Sequence, residues 1–359
     1  MTFNEIVKKE IVAVNKALEE YLDTKIDRAK KMFPMHVEFY TNLKEYMMRG
    51  GKRFRPIAIV IACKAVDGEV DSKSLYRASC SMEILHNASL LHDDLIDHDE
   101  TRRGGLTFHA LYRERYKTDV AQDSEKASHY GMTVAILGGD SLINTGGMAI
   151  IEANLDSDIG MKCLDYYHRG FEEIIEGVFL EMNMVNDPDT TPEMYMEMIR
   201  LKTAALLEKS LLMGGAIGRA TESQMNALSE YGIKVGQAFQ IQDDILGSFG
   251  DESVTGKAAD GDIKEGKKTM LLLEALRLCT PQQKEILEKY LGNDKITPTE
   301  AEKVRDVFRS SGALDSARDL MTTLLNEGIT SLENAEPPLN EKYKEFMIDL
   351  SNFLVKRDY

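Results

Sequence analysis

Leu90–Leu91–His92–Asp93–Asp94–Leu95–Ile96–Asp97 is an apolar helical stretch that closes on three carboxylates. On a helix Asp93 and Asp97 lie one turn apart on one face, and Asp94 reaches Asp97 through the three-residue spacing. Like charges so placed repel, and Mg2+ shared with phosphate oxygens would account for them. Taken alone, the string reads equally well as a solvated acidic helix end. The helical spacing runs back to Ser72 and recurs on both sides of the stretch. Leu, Met, Ala, Glu and Lys dominate, with 19 Met, 8 Pro and no Trp, while sustained strand alternation is hard to find. The pattern predicts an all-α fold, read as one helical domain over residues 1–359.

Helices are expected over Asn4–Asp27, His36–Met48, Pro56–Val66, Ser72–Asp97, Asp123–Ala153 and Ile159–Val185, with a break at Gly50–Gly51. Further helices are expected over Thr191–Arg219, Glu222–Phe249, Thr269–Leu278, Pro281–Leu291, Pro298–Arg309, Ala313–Leu332 and Asn340–Val355. Asp251–Lys268 is loop-like, with chemically distinctive residues on both sides, as a lid or active-site loop would be. The net charge of −16 argues against nucleic acid as a partner. A small phosphorylated ligand stays possible, because divalent cations can sit between carboxylates and phosphates. No apolar run is read as long enough to span a membrane, and the start lacks a signal-peptide pattern. Cys63, Cys80, Cys163 and Cys279 are widely spaced, which suggests reduced, buried thiols and a cytoplasmic setting.

A second cluster, Phe239–Gln240–Ile241–Gln242–Asp243–Asp244–Ile245–Leu246, again ends an apolar helix in paired aspartates. Phe239, Gln240 and Asp243 can line one face there, and Gln240 has both donor and acceptor capacity. The basic counterparts are Gly51–Lys52–Arg53–Phe54–Arg55–Pro56, Arg102–Arg103–Gly104, Lys202–Thr203, Lys257 and Asp262–Ile263–Lys264–Glu265–Gly266–Lys267–Lys268–Thr269. Each alone could be a solvated loop; together they describe a polyanion held by Arg and Lys and by metals on carboxylates. His86, seven residues before Asp93, can share its face and donate to phosphate, or be a satisfied internal histidine. His92 and His98 fall off that face, the histidines show no zinc spacing, and no complete P-loop is present.

These blocks, in this order, resemble the trans-prenyltransferases called polyprenyl diphosphate synthases, from about residue 40 to at least 280. The resemblance implies an all-α isoprenoid synthase fold of antiparallel helices around a deep cavity, usually in a homodimer. It implies as substrates isopentenyl diphosphate and an allylic diphosphate (dimethylallyl, geranyl or farnesyl), with several Mg2+ ions per site. Asp93, Asp94 and Asp97 would bind Mg2+ on the allylic side, and Asp243 and Asp244 on the other wall. Lys202, Lys257, Lys267 and Arg102 would hold the allylic diphosphate. Gly51, Lys52, Arg55, His86 and Arg103 would hold isopentenyl diphosphate, with Phe239 beside its isoprenoid part. Gln240 would support the metal site and the developing cation, which Thr203 and nearby carbonyls would also stabilise.

Leu85 and Ser89 lie eight and four residues before Asp93 on the same face, Leu85 about 12 Å along the helix. Small Ala88 and Ser89 leave room for a growing tail, with Leu85 as a candidate floor. That favours geranylgeranyl diphosphate (C20) over farnesyl or longer products. Two departures stand out. Gly247 occupies the place where the second family block often has a third aspartate, and Arg113–Ser128 reads as a charged, solvent-facing insertion. A terpene cyclase needs one diphosphate site where two basic sets are found here; a non-catalytic diphosphate-binding partner would not need both aspartate clusters.

Overall fold

The chain is described here by a computed structural model covering residues 2–185, 187–250 and 260–355. Its helices are α1 (Phe3–Ala29), α2 (Pro34–Met48), α3 (Phe54–Ala65), α4 (Ser72–Ile96), α5 (Phe108–Asp119), α6 (Ser124–Ile151) and α7 (Ser157–Met184). Then follow α8 (Pro192–Ile199), a π turn (Arg200–Ala204), α9 (Ala205–Ile217), α10 (Glu222–Phe249) and α11 (Gly261–Glu265). The series closes with α12 (Met270–Leu278), α13 (Pro281–Tyr290), α14 (Pro298–Ser310), α15 (Ala313–Glu333) and α16 (Glu341–Val355). The fold is all-α, as the periodicity predicts. Its only sheet among the described residues is a hairpin, β1 (Thr101–Arg102) with β2 (Gly105–Leu106).

The residues group into two compact units, Met1–His168 with Leu212–Ala220, and Arg169–Leu211 with Thr221–Tyr359. In the first, α6 packs on α4 and α5, and α1 on α2 and α4. The core there is Leu18, Tyr21, Tyr46, Met47, Ile84, Ala88, Leu91, Phe108 and Ala135, with Phe108 edge-on to both Phe39 and Tyr46. In the second, α10 is the central helix, packed along α15, and the buried Tyr231 hydroxyl donates to the Met347 carbonyl at 2.6 Å.

Two helices matter most for function, and both start on a side-chain cap. Asp71 accepts from the Ser74 N–H at 2.9 Å to begin α4, and Thr221 with Gln224 forms a reciprocal capping box on α10. Each helix carries an acidic block at its far end, α4 stopping at Ile96 and α10 at Phe249.

Several expectations need correction. A helix not expected from the spacing, α5, carries the first part of the charged segment Arg113–Ser128 as far as Asp119, with Arg113 bonded to Glu100 at 2.7 and 2.5 Å. The Thr191–Arg219 helix is interrupted by the π turn, and α3 starts at Phe54 rather than Pro56. Much of Asp251–Lys268 lies outside the described residues, but its end folds as α11. Against the expectation that no stretch is apolar enough, α6 has the length and composition to cross a membrane. Half of its most apolar window is buried in the fold. The four cysteines are free thiols, Cys63, Cys80 and Cys163 buried as expected but Cys279 only half-buried, and burial pushes Cys63 up to about 11 and Cys80 and Cys163 up to about 12.

Candidate active site

In the first unit, α4 presents Asp93 half-buried and Asp97 exposed at its end, the Asp97 N–H closing on the Asp93 carbonyl at 2.8 Å. Asp94, one residue round the helix, is 0% exposed. The Tyr46 hydroxyl donates to one of its oxygens at 2.7 Å, and Arg102 Nε donates to the other. Both Asp94 oxygens are thus engaged by Tyr46 and Arg102, unlike the more accessible Asp93 and Asp97. Asp94 is turned inward, because successive helical side chains diverge by about 100°, and it anchors Arg102. Burial pushes the Asp94 carboxyl above its ordinary range, against the Tyr46 and Arg102 bonds.

The hairpin turn sets the two arginines. Arg103 and Gly104 both have positive φ (49° and 75°), the arrangement a tight two-residue hairpin requires. Arg102 then faces Asp94, while Arg103 donates to the Gly50 carbonyl at 2.5 Å and lies beside Gly51. Gly51 and Lys52 are exposed, Lys52 lying 5.7 Å from the Phe54 ring centroid. Arg53 belongs to the scaffold: it is buried, bonds Glu83 at 2.5 Å, and donates to the Met47 carbonyl and Asn15.

Arg55 and His86 differ from it. Arg55 Nε and His86 Nδ1 are sealed from solvent without a hydrogen-bond partner among the described residues. Burial holds His86 well below the ordinary histidine value, helped by Arg55, Arg103, Arg102 and Arg53. Burial also lowers Arg55, with Arg103 adding to it and Glu83 opposing. Buried polar nitrogens left without a partner are costly, which sets this pair apart from the fully bonded Arg53. On the same helix the Ser89 hydroxyl donates to the His86 carbonyl at 2.9 Å, while Ala88 and Leu85 are fully buried, Ala88 in the core with Phe108 and Leu91.

In the second unit, the π turn carries Lys202 and Thr203. Its backbone is gripped closely: a Cβ on Gly177 would meet Lys202 N at 2.5 Å, and one on Gly236 would meet Ala204 Cα at 2.5 Å. Only glycine lets α7 and α10 approach it so near, and π turns recur at functional sites. Thr203 donates to Gln240 Oε1 at 2.7 Å, and Gln240 Nε2 donates to Asp244 Oδ1 at 2.9 Å. The Tyr195 hydroxyl donates to the remaining Asp244 oxygen at 2.6 Å. Asp244 is thus a buried anchor, 4% exposed, while Asp243 and Phe239 stay half-buried on the helix face.

Lys202 pairs with Glu181, and Lys267 lies 3.7 Å from the same carboxylate. Burial opposes charge on Lys267, but Asp244, Asp262, Glu181 and Glu265 outweigh it and raise its pKa. Lys257 lies outside the described residues. The sequence reading missed Tyr46, Tyr195 and Glu181. The tyrosines lie 48 and 49 residues from their aspartates, and Glu181 sits in a glutamate-rich helix that looks like a solvated face.

Among the described residues no three carboxylate, histidine or cysteine side chains converge as a ready metal cage. Magnesium does not need one: it takes one or two carboxylates and fills its shell with substrate phosphates and water. In the first unit Asp93 and Asp97 at the end of α4, and in the second unit Asp243 within α10, each supply hard oxygens of that kind. The residues fit the ion.

The Polyprenyl synthetase family profile matches residues 37–309. A geranylgeranyl diphosphate synthase of Saccharolobus solfataricus is 35% identical over 86% of this chain and 87% of its own. An octaprenyl diphosphate synthase of Escherichia coli is 28% identical over 99% of this chain and 98% of its own. Among solved structures, a geranylgeranyl pyrophosphate synthase of Corynebacterium glutamicum, complexed with isoprenyl diphosphate and magnesium, matches with a TM-score of 0.89. It is 25% identical, with both chains fully covered.

Proposed function

Because this chain belongs to the polyprenyl synthetase family and is a prenyltransferase of that kind, we propose that it condenses isopentenyl diphosphate head-to-tail with an allylic diphosphate to make geranylgeranyl diphosphate. The observation that carries the reading is the unsatisfied pair Arg55 Nε and His86 Nδ1 beside Arg103. Such a pair reads as an anion site built on guanidinium and imidazole nitrogens, additional to the diphosphate that carboxylate-bound metal would hold. Chain extension needs two such sites and a cyclase one. The residues 1–359 act as one synthase domain, a reading supported by a family match that runs through both compact units.

Mg2+ bound by Asp93 and Asp97 and by Asp243 would offset the charge that grows on the departing diphosphate. Asp94 and Asp244 then position rather than ligate, one fixing Arg102 and the other the Gln240–Thr203 pair. Lys202, Lys257, Lys267 and Arg102 bind the allylic diphosphate. Gly51, Lys52, Arg55, His86 and Arg103 bind the isopentenyl diphosphate, and Phe239 covers its isoprenoid part. The allylic carbon–oxygen bond breaks with both electrons going to diphosphate. The isopentenyl double bond attacks the cation, and proton loss to diphosphate leaves a new allylic double bond. The Thr203 and Gln240 dipoles stand ready beside the developing charge.

The C20 product is read from the small face at Ser89 above Leu85; a relative named for the geranylgeranyl product agrees with it, and one named for an octaprenyl product represents the longer alternative. A homodimer is supported by exposed Met132, Ile136 and Leu137 on α6, and by Ile175, Phe179 and Met182 on α7. The free thiols support a cytoplasmic setting. The net charge of −16 speaks against nucleic acid.

The test is purified protein with Mg2+, isopentenyl diphosphate and dimethylallyl, geranyl or farnesyl diphosphate, read by product mass. C20 from each starter supports the proposal, and an end product of C15, or of C25 or longer, replaces that part of it. No turnover from any starter would favour a non-catalytic binding partner, and cyclic hydrocarbon without isopentenyl consumption a cyclase. Ser89→Phe is expected to shorten the product; an unchanged mass would break the role given to this face.

A further inference from the structure

Gly247 sits four residues after Asp243 on α10, where a third aspartate of the acidic block would stand. A Cβ built there would lie 2.3 Å from Asp262 Oδ2 and 3.0 Å from Asp262 Cγ. No side chain can occupy position 247 while Asp262 keeps its place, because such contacts fall far inside van der Waals separation. The helix leaves a notch, and a carboxylate from another element fills it.

The turn that delivers this carboxylate is tightly made. α11 ends at Glu265 and is capped by Gly266, whose φ of 64° suits glycine, and the Lys267 N–H reaches back to the Asp262 carbonyl at 3.0 Å. Ile263 is buried, and its carbonyl accepts from the Gly292 N–H at 3.0 Å. One turn therefore sets both the Asp262 carboxylate at α10 and Lys267, which Asp244 and Asp262 together hold charged against its burial. Asp262 also bears electrostatically on Tyr195, the phenol that anchors Asp244.

We infer that Asp262 supplies from α11 the third carboxylate that position 247 lacks, completing the second acidic wall as a positioning residue for the divalent cation and for Lys267. The inference rests on the synthase reading above. It explains why glycine, rather than another small residue, stands at 247: a methyl group there would displace the carboxylate.

The test uses the full chain and two readouts, turnover and calorimetric titration of Mg2+ in the presence of inorganic pyrophosphate. Asp262→Asn is expected to weaken the Mg2+ titration by about tenfold to about a hundredfold, as loss of a supporting partner does at metal sites. Its kcat should fall with the KM for isopentenyl diphosphate unchanged. Gly247→Ala, which pushes Asp262 aside, should weaken the titration in the same direction. Asp262→Gly combined with Gly247→Asp moves the carboxylate onto α10 and should recover most of the cation affinity lost in Asp262→Gly alone. Asp260→Asn, whose carboxylate pairs with Lys264 at 3.1 Å, is the control expected to match wild type. Wild-type Mg2+ affinity in Asp262→Asn overturns the inference. So does failure of the relocated aspartate to recover affinity in a protein that melts like its parent. If the unmodified chain neither turns over nor binds Mg2+ with pyrophosphate, the synthase reading itself fails, whereas normal turnover beside an indifferent Asp262→Asn removes only the role of Asp262.

Discussion

Tyr46 and Tyr195 perform the same task in two different settings. Each is a buried phenol that donates to the second aspartate of a pair, Asp94 at 2.7 Å and Asp244 at 2.6 Å. The other oxygen tells the two apart. Asp94 gives it to a guanidinium, Arg102, amid Arg53, Arg55, Arg103 and a neutral His86. Asp244 gives it to a neutral amide, Gln240, amid Glu181, Asp262 and a charged Lys267. The first setting carries surplus positive charge and buried nitrogens without a partner among the described residues, as the proposed direct anion site requires. The second carries surplus carboxylate, as the proposed cation-mediated site requires. In both, the first aspartate faces outward and the second is held as framework.

The largest expected effect separates those two roles. Asp243→Asn should lower kcat by about a thousandfold, a loss of roughly 4 kcal/mol of charge stabilisation, with the melting temperature held. Asp244→Ala should instead strip Tyr195 and Gln240 of a buried acceptor and cost about 3 kcal/mol of stability. Steady-state kinetics beside thermal melts would check both. Equal losses of stability in the two variants would erase the distinction between outward and framework aspartates.

Next in size is Arg55→Leu, which sharpens the contrast because function and stability move apart. The KM for isopentenyl diphosphate should rise about a hundredfold, the loss of a charge-assisted contact worth about 2–3 kcal/mol. The KM for the allylic diphosphate should change by no more than about threefold. Stability should hold or improve, since a buried donor without a partner is removed. A substantial loss of folding stability would show that Arg55 serves the scaffold, as Arg53 does.

How much of this was legible follows from range. α4 and α10 were readable because apolar spacing is local and the polar string at each end breaks it. The tyrosine anchors were not, because nothing near Asp94 or Asp244 in sequence specifies a phenol about 50 residues away. The one available signal was that a buried tyrosine needs a partner for its hydroxyl. Arg53 and Arg55 looked alike as neighbours in one basic loop; the left-handed φ of 52° at Arg53 is what turns its side chain inward to Glu83. The hairpin strands, two residues each, were too short for any alternation to show. Asp262 was visible as a residue, but its relation to Gly247 exists only in three dimensions.

The smallest effect concerns protons. Burial and four arginines keep His86 neutral in the folded chain, with its pKa well below the ordinary value of about 6.5 that it regains on unfolding. Below pH of about 6.5 the unfolded chain therefore takes up a proton that the folded chain refuses. The His86 contribution to stability is complete above that pH and is lost as pH falls toward the folded-state value, at no more than about 1.4 kcal/mol per pH unit. His86→Gln should flatten the acid side of the stability curve by that amount. Inorganic pyrophosphate reverses the balance in wild type, since an anion beside His86 favours the protonated ring. Its stabilising effect should grow as pH drops from about 7.5 to about 6, and it should grow less in His86→Gln. Melts at several pH values with and without pyrophosphate measure both slopes. Identical slopes in wild type and variant would mean that the anion does not reach the histidine, and that the cation-rich setting is not where the metal-free diphosphate binds.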